Sequence, residues 1–555
     1  KIQNKNNRIN FDMISQDSQI EANKIAFETE DIADYAFEKA GIVLNFGTDF
    51  LGNWGSGVEN SRRFVEMHAF EDGSKGQLIH ISPQVSLTGA KADRWIQINP
   101  GTEGLVALAI ANALRKKKGN FPFLADYLDS FSPEKVFEAT GVSVKKINQI
   151  VSDIFQNGPL LALAGGNLSA TDQCVETLVA VNILNAISGA LGETVRFFEK
   201  RTSESTNFSS IERLVKDLEN SKVKLLIIDD SNPVYALPKS LKFSQALEKT
   251  FVVSLASHKS ETTHEANLVL PALTPYESWG DAFPRSGVKS IQQPVMTPVK
   301  NFDARAMEDV LLDVAQQINN NAFPSIKSYY EYLQKIWKEI HTKTGDLRNF
   351  ENFWISVLEN GGIFDEPKFK WVSLSDRVTS LRLIDPGFSK KEGLTLLPTI
   401  SHLLGDGRGS NKPWLQEVPD PMSQIVWDSW VEINPETAKK LGINDRAIIE
   451  VNTPYGKVEA TAYYHFGIHR DAIAIPMGQG HKNSGNVADG FGINVMDLLP
   501  NTIDNAGNFA FVSTQAKIKL VNSKSFTVNT DGNARQLGRD ISAATTVEKL
   551  NGGYE

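Results

Sequence analysis

The amino-acid sequence predicts an α/β protein with two parallel-sheet units followed by a small β-barrel. Short apolar runs alternate with loops and helical patterns from about residue 41, and a second series of such cycles begins near residue 150. From about residue 395 the chain changes to short strands separated by Pro and Gly turns. Apolar strands that alternate with helices are typical of a parallel sheet with helices on both faces.

The first unit is predicted for residues 1–148. It begins with helical patterns, and strand-like runs follow at 41–47 and 76–84, each ending in a loop. A strong helical pattern covers 101–114. Because the chain starts at Lys1 and not at methionine, we expect an amino-terminal portion of this unit to precede it.

The second unit is predicted for residues 149–300. A strand-like run at 158–167 precedes the helical pattern around Cys174, and further strands are predicted within 221–238 and 251–271. Open α/β sheets bind ligands at the carboxyl ends of their strands. The Gly-, Ser- and Asn-rich loops after these strands are therefore the candidate ligand-binding loops.

Residues 301–394 are predicted to be a connecting helical region, and 395–525 to form the β-barrel. A short helix opens the barrel sequence, because Asn434 is suited to cap it and Gly442 to end it. The last residues, 526–555, are predicted to be a tail or linker.

Composition excludes several classes of function. The net charge of −9 argues against a nucleic-acid-binding surface. The sequence also contains no run of 18 apolar residues, the length that a helix needs to cross a bilayer. Cys174 is the only cysteine, so this chain has no internal disulfide and no cysteine-ligated zinc or iron–sulfur site. We expect Cys174 to be buried.

Familiar catalytic motifs are missing. His264 and Glu265 begin a zinc-protease motif, but Leu268 stands where the second histidine would be needed. The sequence also has no phosphate-binding loop of the P-loop type, no G-x-G-x-x-G fingerprint after a strand and no G-x-S-x-G elbow. Trp414, Trp427 and Trp430 lie close together in sequence, and they could form an interaction surface or belong to the core.

Several stretches resemble the large subunits of molybdopterin oxidoreductases, the dimethyl sulfoxide reductase family. They are ADRWIQINPGTEGLVALAIANAL, IIDDSNPVYALP, SETTHEANLVLPALTPYESWGD and VEINPETAKKLGINDRAIIEV followed by AIPMGQGH. Together they span nearly the whole chain. The resemblance implies two Rossmann-like α/β units and a barrel of the double-psi kind.

Within that family the chain most resembles the B subunit of alternative complex III, a quinol-oxidising respiratory assembly. FGTDFLGNW, SLTGAKAD and GDGRGSNKPWLQEVPDPMSQIVWDSWVEINP carry this similarity. It implies a non-catalytic scaffold on the periplasmic side of the bacterial cytoplasmic membrane, with no catalytic, cofactor-binding or metal-binding residues of its own. The implied partners are an iron–sulfur ferredoxin-like domain or subunit, multihaem cytochrome c subunits and integral membrane quinol-binding subunits.

Departures from the family pattern favour this interpretation. Ser82-Pro83-Gln84 stands where catalytic members usually have Asp-Pro-Arg, and Asn267 stands where they commonly have aspartate. The family's iron–sulfur region and its molybdenum-ligand segment would both precede Lys1.

Two alternatives remain open. The first is a catalytic molybdenum or tungsten oxidoreductase that binds two molybdopterin guanine dinucleotides. The residues that would hold this cofactor are Ser82, Asn232, Pro233, Gly480, His481 and Asn494. The second is the large peripheral subunit of respiratory complex I, which shares the fold but is disfavoured because the barrel signature is complete.

Overall fold

The structure is a computed structural model, and it describes residues 8–70, 75–199, 208–319, 323, 325–523 and 527–530. Its β-strands in chain order are β1 (Asp34–Tyr35), β2 (Ile42–Phe46), β3 (Gln77–Ser82), β4 (Arg94–Gln97), β5 (Leu160–Ala164), β6 (Val195–Phe198), β7 (Leu225–Asp229), β8 (Phe251–Ala256), β9 (Leu268–Pro271), β10 (Gly280–Arg285), β11 (Val288–Gln292), β12 (Gly362–Phe364), β13 (Phe369–Lys370), β14 (Leu394–Thr399), β15 (Trp430–Ile433), β16 (Ile448–Thr453), β17 (Gly456–Tyr464), β18 (Ala472–Pro476) and β19 (Gln515–Asn522).

The α-helices in chain order are α1 (Asp17–Phe27), α2 (Gly57–His68), α3 (Leu87–Ala90), α4 (Glu103–Lys118), α5 (Ala125–Asp129), α6 (Pro133–Thr140), α7 (Val144–Asn157), α8 (Cys174–Ser188), α9 (Phe208–Glu219), α10 (Pro233–Ala236), α11 (Phe243–Leu247), α12 (Glu261–Glu265), α13 (Met307–Ile318), α14 (Tyr329–Thr344), α15 (Phe350–Asn360), α16 (Pro413–Glu417) and α17 (Pro435–Lys440).

The first sheet is parallel throughout and has the strand order β4-β3-β2-β5. Every residue of β2 and β5 is buried, and helices α4, α7 and α8 contribute to the core around them. This arrangement confirms the predicted parallel sheet covered by helices.

Strand β5 was predicted to open the second unit, but it belongs to the first sheet. It pairs with β2 along its whole length, from Ile42 opposite Leu160 to Phe46 opposite Ala164. The two runs are both continuously apolar, so each needs cover on both faces, and pairing side by side between the same helices provides it. The local pattern identifies the strand but not the sheet that it joins.

The second sheet is also parallel, with the order β7-β8-β9. Ile228 of β7 and Val252 of β8 belong to a core with helices α9 and α11. That same core includes the apolar interior of the barrel, so the second sheet and the barrel are packed together.

The predicted connecting region contains helices α13, α14 and α15, which are followed by β12 and β13. Trp337 and Trp354 lie at the centre of a separate small core there. β12 completes an antiparallel sheet with β10 and β11, while β13 joins β1 and β6. The region therefore holds strands as well as the predicted helices.

The six strands β14, β18, β15, β17, β16 and β19 close into a barrel in that order. β14 pairs with β18 and β15 with β17 in parallel, and the other neighbours are antiparallel. The predicted barrel is confirmed. Asn434 caps α17 by accepting a hydrogen bond from the backbone N–H of Glu436, and Gly442 has a φ of +69° just after the helix.

The predicted tail falls largely outside the described residues, which end at 530. Residues 527–530 run beside the barrel, where the N–H of Val426 donates to the carbonyl of Val528. None of the helices in the described part of the chain has the length and apolar character needed to traverse a bilayer.

Candidate functional site

The loop after β3 is held in place by hydrogen bonds from the side chains of Ser82 and Gln84. Ser82 is fully buried, and its hydroxyl donates to the carbonyl of Gln84. Gln84 is also buried, and its Nε2 donates to the carboxylate of Glu432 on barrel strand β15. Burial raises the pKa of Glu432 despite this hydrogen bond and the one from Trp430. Ser82 therefore supports a turn against the barrel.

The other predicted cofactor ligands come together where the second sheet meets the barrel. His481 stacks on Tyr235 of α10, with ring centroids 3.7 Å apart. Asn494 donates from Nδ2 to the carbonyl of Tyr235 at 2.9 Å. A Cβ at Gly480 would lie 2.1 Å from the backbone nitrogen of Asn494, so this position requires glycine. Pro233 is buried at the first position of α10.

Glu261 is the central acceptor of this cluster. Its carboxylate accepts from Asn232 Nδ2 at 2.7 Å, from the backbone N–H of Lys482 at 2.6 Å and from His481 Nδ1 at 3.1 Å. Burial raises the pKa of Glu261, but these three donors outweigh it and the net pKa is lowered. The carboxylate is therefore ionised, and it holds the three groups that would otherwise be available to an anionic ligand.

A cavity of about 850 Å³ lies between the loops of the first sheet, the barrel and the β10–β11 hairpin, and it is lined by residues other than those of the Glu261 cluster. Its wall comes from some of the residues within the segments 12–19, 53–59, 165–178, 284–288, 400–408 and 508–511, among others. The volume of this cavity and its mixture of polar and apolar wall residues are typical of a small-molecule site.

The charged groups of the cavity are already paired with one another. Arg285 donates from Nη1 to Glu59 at 2.7 Å. Arg408 donates to both carboxylate oxygens of Asp406, at 2.8 and 2.7 Å, and lies 3.6 Å from Asp12. The described lining thus has three carboxylates and two guanidinium groups.

The hydrogen-bond donors of the cavity and of the Glu261 cluster do not fit a dinucleotide with a charged diphosphate. The arginines that face the cavity are neutralised by carboxylates, and the excess charge of the lining is negative. The Asn232 amide and Nδ1 of His481 are bound to the Glu261 carboxylate, whereas Nε2 of His481 is buried without a hydrogen-bond partner. No group of three or more His, Cys, Asp or Glu side chains among the described residues is arranged to hold a metal ion.

Sequence reasoning missed Glu261, Tyr235 and the pair of Asp406 and Arg408. A usable signal for Glu261 existed, because it follows the carboxyl end of β8 in the first turn of α12. The neighbouring His264 and Glu265 drew attention by their motif, yet both are exposed at the end of that short helix.

Two further expectations concern single side chains. Cys174 is buried as predicted, and burial raises the pKa of its thiol. Of the three neighbouring tryptophans, Trp430 is buried, Trp427 is half-buried and Trp414 is 64% exposed. Trp430 belongs to the interior, and Trp414 lies at the surface.

Comparison with known proteins places the chain in a family. The model "Molybdopterin oxidoreductase" matches residues 2–316, and the model "Molydopterin dinucleotide binding domain" matches residues 411–514. The chain is 25% identical to the menaquinone reductase, molybdopterin-binding-like subunit, of Nitratidesulfovibrio vulgaris over 84% of its length and 68% of that protein. It is 21% identical to the molybdopterin-containing subunit of arsenate respiratory reductase from Chrysiogenes arsenatis, over 78% of this chain and 70% of that one.

A catalytic and a structural relative complete the comparison. The assimilatory nitrate reductase catalytic subunit of Bacillus subtilis is 21% identical over 72% of this chain and 65% of its own. The solved structure of acetylene hydratase from Pelobacter acetylenicus is similar in fold, with a TM-score of 0.69, 14% identity, and coverage of 91% of this chain and 81% of that one. The match to the first family model covers more than half of the sequence, and so the chain belongs to the molybdopterin oxidoreductase family.

Proposed function

We propose that this chain is a non-catalytic, molybdopterin-oxidoreductase-like scaffold subunit of a quinol-oxidising respiratory complex of the alternative complex III type. Its role is to support partners that carry iron–sulfur clusters and haems. Quinol oxidation takes place in a membrane subunit, and the electrons pass through those partners. The chain itself takes part in no bond-making step.

The observation that carries the proposal is the position of Glu261. Its carboxylate already accepts hydrogen bonds from the amide of Asn232, from Nδ1 of His481 and from the backbone N–H of Lys482, which are donors that a pterin dinucleotide would need from this cluster. Because a carboxylate of the protein already accepts these hydrogen bonds, a phosphate group would find no unpaired positive charge in this cluster to neutralise its own charge. The pairing of Arg285 and Arg408 with carboxylates supports the same proposal.

The similarity to the Nitratidesulfovibrio protein supports a role within an assembly. That relative is named a molybdopterin-binding-like subunit of a menaquinone reductase. We propose for this chain an analogous place beside an iron–sulfur ferredoxin-like partner, multihaem cytochrome c subunits and an integral membrane quinol-binding subunit. We further propose a peripheral location on the periplasmic side of the cytoplasmic membrane.

The second candidate function is a catalytic molybdenum or tungsten oxidoreductase. Two observations favour it: the 850 Å³ cavity between the first sheet, the barrel and the β10–β11 hairpin, and the similarity to reductases of arsenate and nitrate. In that case the cofactor would supply oxidation–reduction chemistry, and the residues around the cavity would bind and orient it.

Metal and pterin content distinguish the two functions. Molybdenum and tungsten per chain are measured by elemental mass spectrometry, and pterin by oxidative fluorescence on the same purified sample. The proposal predicts neither metal nor pterin in a sample that still oxidises quinol. Near-stoichiometric metal with pterin would overturn it and make this chain a catalytic subunit.

A further inference from the structure

A second, smaller cavity lies between the loops of the first sheet and the barrel, and we call it the small pocket. Its volume is about 60 Å³. That is room for about four to six water molecules, or for a small polar group. Six residues line both the small pocket and the larger cavity of about 850 Å³, and they are Ile14, Asn53, Trp54, Gly166, Asn167 and Ile400. The two cavities therefore adjoin.

The wall of the small pocket is acidic. Its described residues include Asp49, Asp420 and Glu432 but neither lysine nor arginine. One histidine, His402, belongs to the wall, and its Nε2 lies 3.5 Å from Oδ2 of Asp49. Even with a positive charge on that histidine, the carboxyl groups of the wall outnumber its basic groups.

Gln84 adds a hydrogen-bond acceptor that the protein leaves unpaired. The side chain is 4% exposed, and its Nε2 donates to the carboxylate of Glu432. The amide oxygen, Oε1, is buried and has no hydrogen-bond partner in the described part of the chain. The other two side-chain amides of the wall, Asn53 and Asn167, donate to backbone carbonyls of β14 and of the residue after it. The amide nitrogens are thus bound to the protein, whereas an amide oxygen remains available.

Glu432 has no full positive charge among its hydrogen-bond partners. Its carboxylate accepts from Nε1 of Trp430 and from Nε2 of Gln84, and both of these donors are neutral. Burial and the nearby Asp420 raise the pKa of Glu432 more than these hydrogen bonds and His465 lower it. Since buried charges in proteins are usually paired, this carboxylate calls for a positively charged partner.

An ammonium group would satisfy these features together. It is positively charged, and its N–H groups can donate to Oε1 of Gln84 and to the carboxylate of Glu432. Trp54 and Trp430 also line the small pocket, and indole rings attract cations more strongly than other aromatic rings do. Water would satisfy the amide oxygen but would not balance the carboxyl groups. A metal ion fits less well, since the described His, Cys, Asp and Glu side chains form no group of three arranged to hold one.

We propose that the small pocket binds the ammonium group of a small organic amine. Gln84 and Glu432 accept its hydrogen bonds, and the rest of the amine lies in the larger cavity beyond Trp54. The inference goes beyond the proposed function, because a scaffold subunit needs no such ligand. It is tested by binding and not by quinol oxidation, so the two proposals can fail separately.

Ligand-observed NMR titrations with butylammonium chloride test the proposal. The sample is the dialysed native protein, together with everything that co-purifies with it. Butan-1-ol and sodium butanoate are matched probes of similar length, one neutral and one negatively charged. At about 0.15 M salt, attraction to distant exposed charges is largely screened. Under that condition the dissociation constant of butylammonium should be at least about tenfold lower than that of either matched probe.

The variant E432Q keeps the size of the side chain and removes its charge. The introduced amide can donate to Oε1 of Gln84, whose amide then turns round and presents Nε2 to the pocket instead. The affinity for butylammonium should therefore fall at least about tenfold, as expected for the loss of a charge-assisted hydrogen bond. E459Q, at an exposed position on the neighbouring strand β17, is the control and should bind like wild type. Circular dichroism checks that each variant is folded.

A second variant covers the case in which E432Q does not fold. W54L removes the half-buried indole that lines both cavities, and W414L is its control at a position that is 64% exposed. W54L should weaken the binding of butylammonium more than that of butan-1-ol. Absent binding of butylammonium, or equal affinity for the three probes, would overturn the proposal. Unchanged butylammonium binding in folded E432Q or W54L would also overturn it.

Discussion

Glu261 and His481 join the second sheet to the barrel across 220 residues of sequence. The Nδ1 atom of His481 lies 3.1 Å from Oε1 of Glu261, and it carries the proton because an ionised carboxylate can only accept. His481 is 3% exposed and stacks on Tyr235, so the ring is fixed from two sides. The cluster therefore fixes the barrel loop against the second sheet.

Replacing Glu261 by Gln should destabilise the protein. The neutral amide has one acceptor oxygen and turns its NH₂ group toward Asn232 or Lys482, so at least one buried donor loses its partner. We expect the free energy of unfolding to fall by about 1–3 kcal/mol. Urea denaturation measures this change. E265Q, at an exposed position in the same helix, is the control and should remain near wild type.

The contribution of Glu261 should also depend on pH. Its pKa in the folded protein lies below the usual 4.5, because the hydrogen bonds of His481, Asn232 and Lys482 outweigh the effect of burial. A lowered folded pKa means that the stabilisation is complete above about pH 4.5 and is lost as pH falls through the folded value. The difference in unfolding free energy between wild type and E261Q should therefore shrink below pH 4.5. A difference that stays constant from pH 7 to pH 3 would contradict this.

The sequence predicted most of the secondary structure that lies near the site. The turn chemistry of Asn434 and Gly442 is local, and so the helix Pro435–Lys440 could be predicted from a few residues. Strands β5 and β2 were both recognised from their local patterns, but their pairing with each other was not. Pairing between distant strands depends on which surfaces remain to be buried, and a single sequence does not contain that information directly.

The candidate site was predicted only in part. Asn232, His481 and Asn494 do come together, because the loop after β7 packs against the barrel loop that follows β18. Their partner Glu261 was missed, since its role depends on a contact with residues 220 positions away. Ser82 was predicted with them, but it lies elsewhere and bonds to its own turn.

Glu103 should make the protein less stable as pH rises. It is 1% exposed, its Oε1 makes no hydrogen bond, and burial raises its pKa to about 8. Between pH 4.5 and about 8 the unfolded chain ionises this group while the folded protein keeps it protonated. The unfolding free energy of wild type should then fall by about 1.4 kcal/mol per pH unit relative to E103Q.

Chemical denaturation of wild type and E103Q at pH 5, 6, 7 and 8 measures this slope. E134Q is the matched control, because Glu134 also lies in the first turn of a helix but is exposed. Parallel pH profiles for wild type and E103Q would contradict the raised pKa.

Replacing His481 by Ala distinguishes the scaffold from the catalytic subunit. If the chain is a scaffold, the variant loses the contacts to Glu261 and Tyr235 and becomes less stable, but each assembled complex should oxidise quinol at nearly the wild-type rate. Steady-state quinol oxidation, normalised to the haem content of the purified assembly, measures this rate. The exposed H264A is the control for the substitution itself. A large loss of rate in fully assembled H481A complex would show that His481 serves the chemistry, since a contact that only holds two parts of the fold together acts on stability and not on turnover.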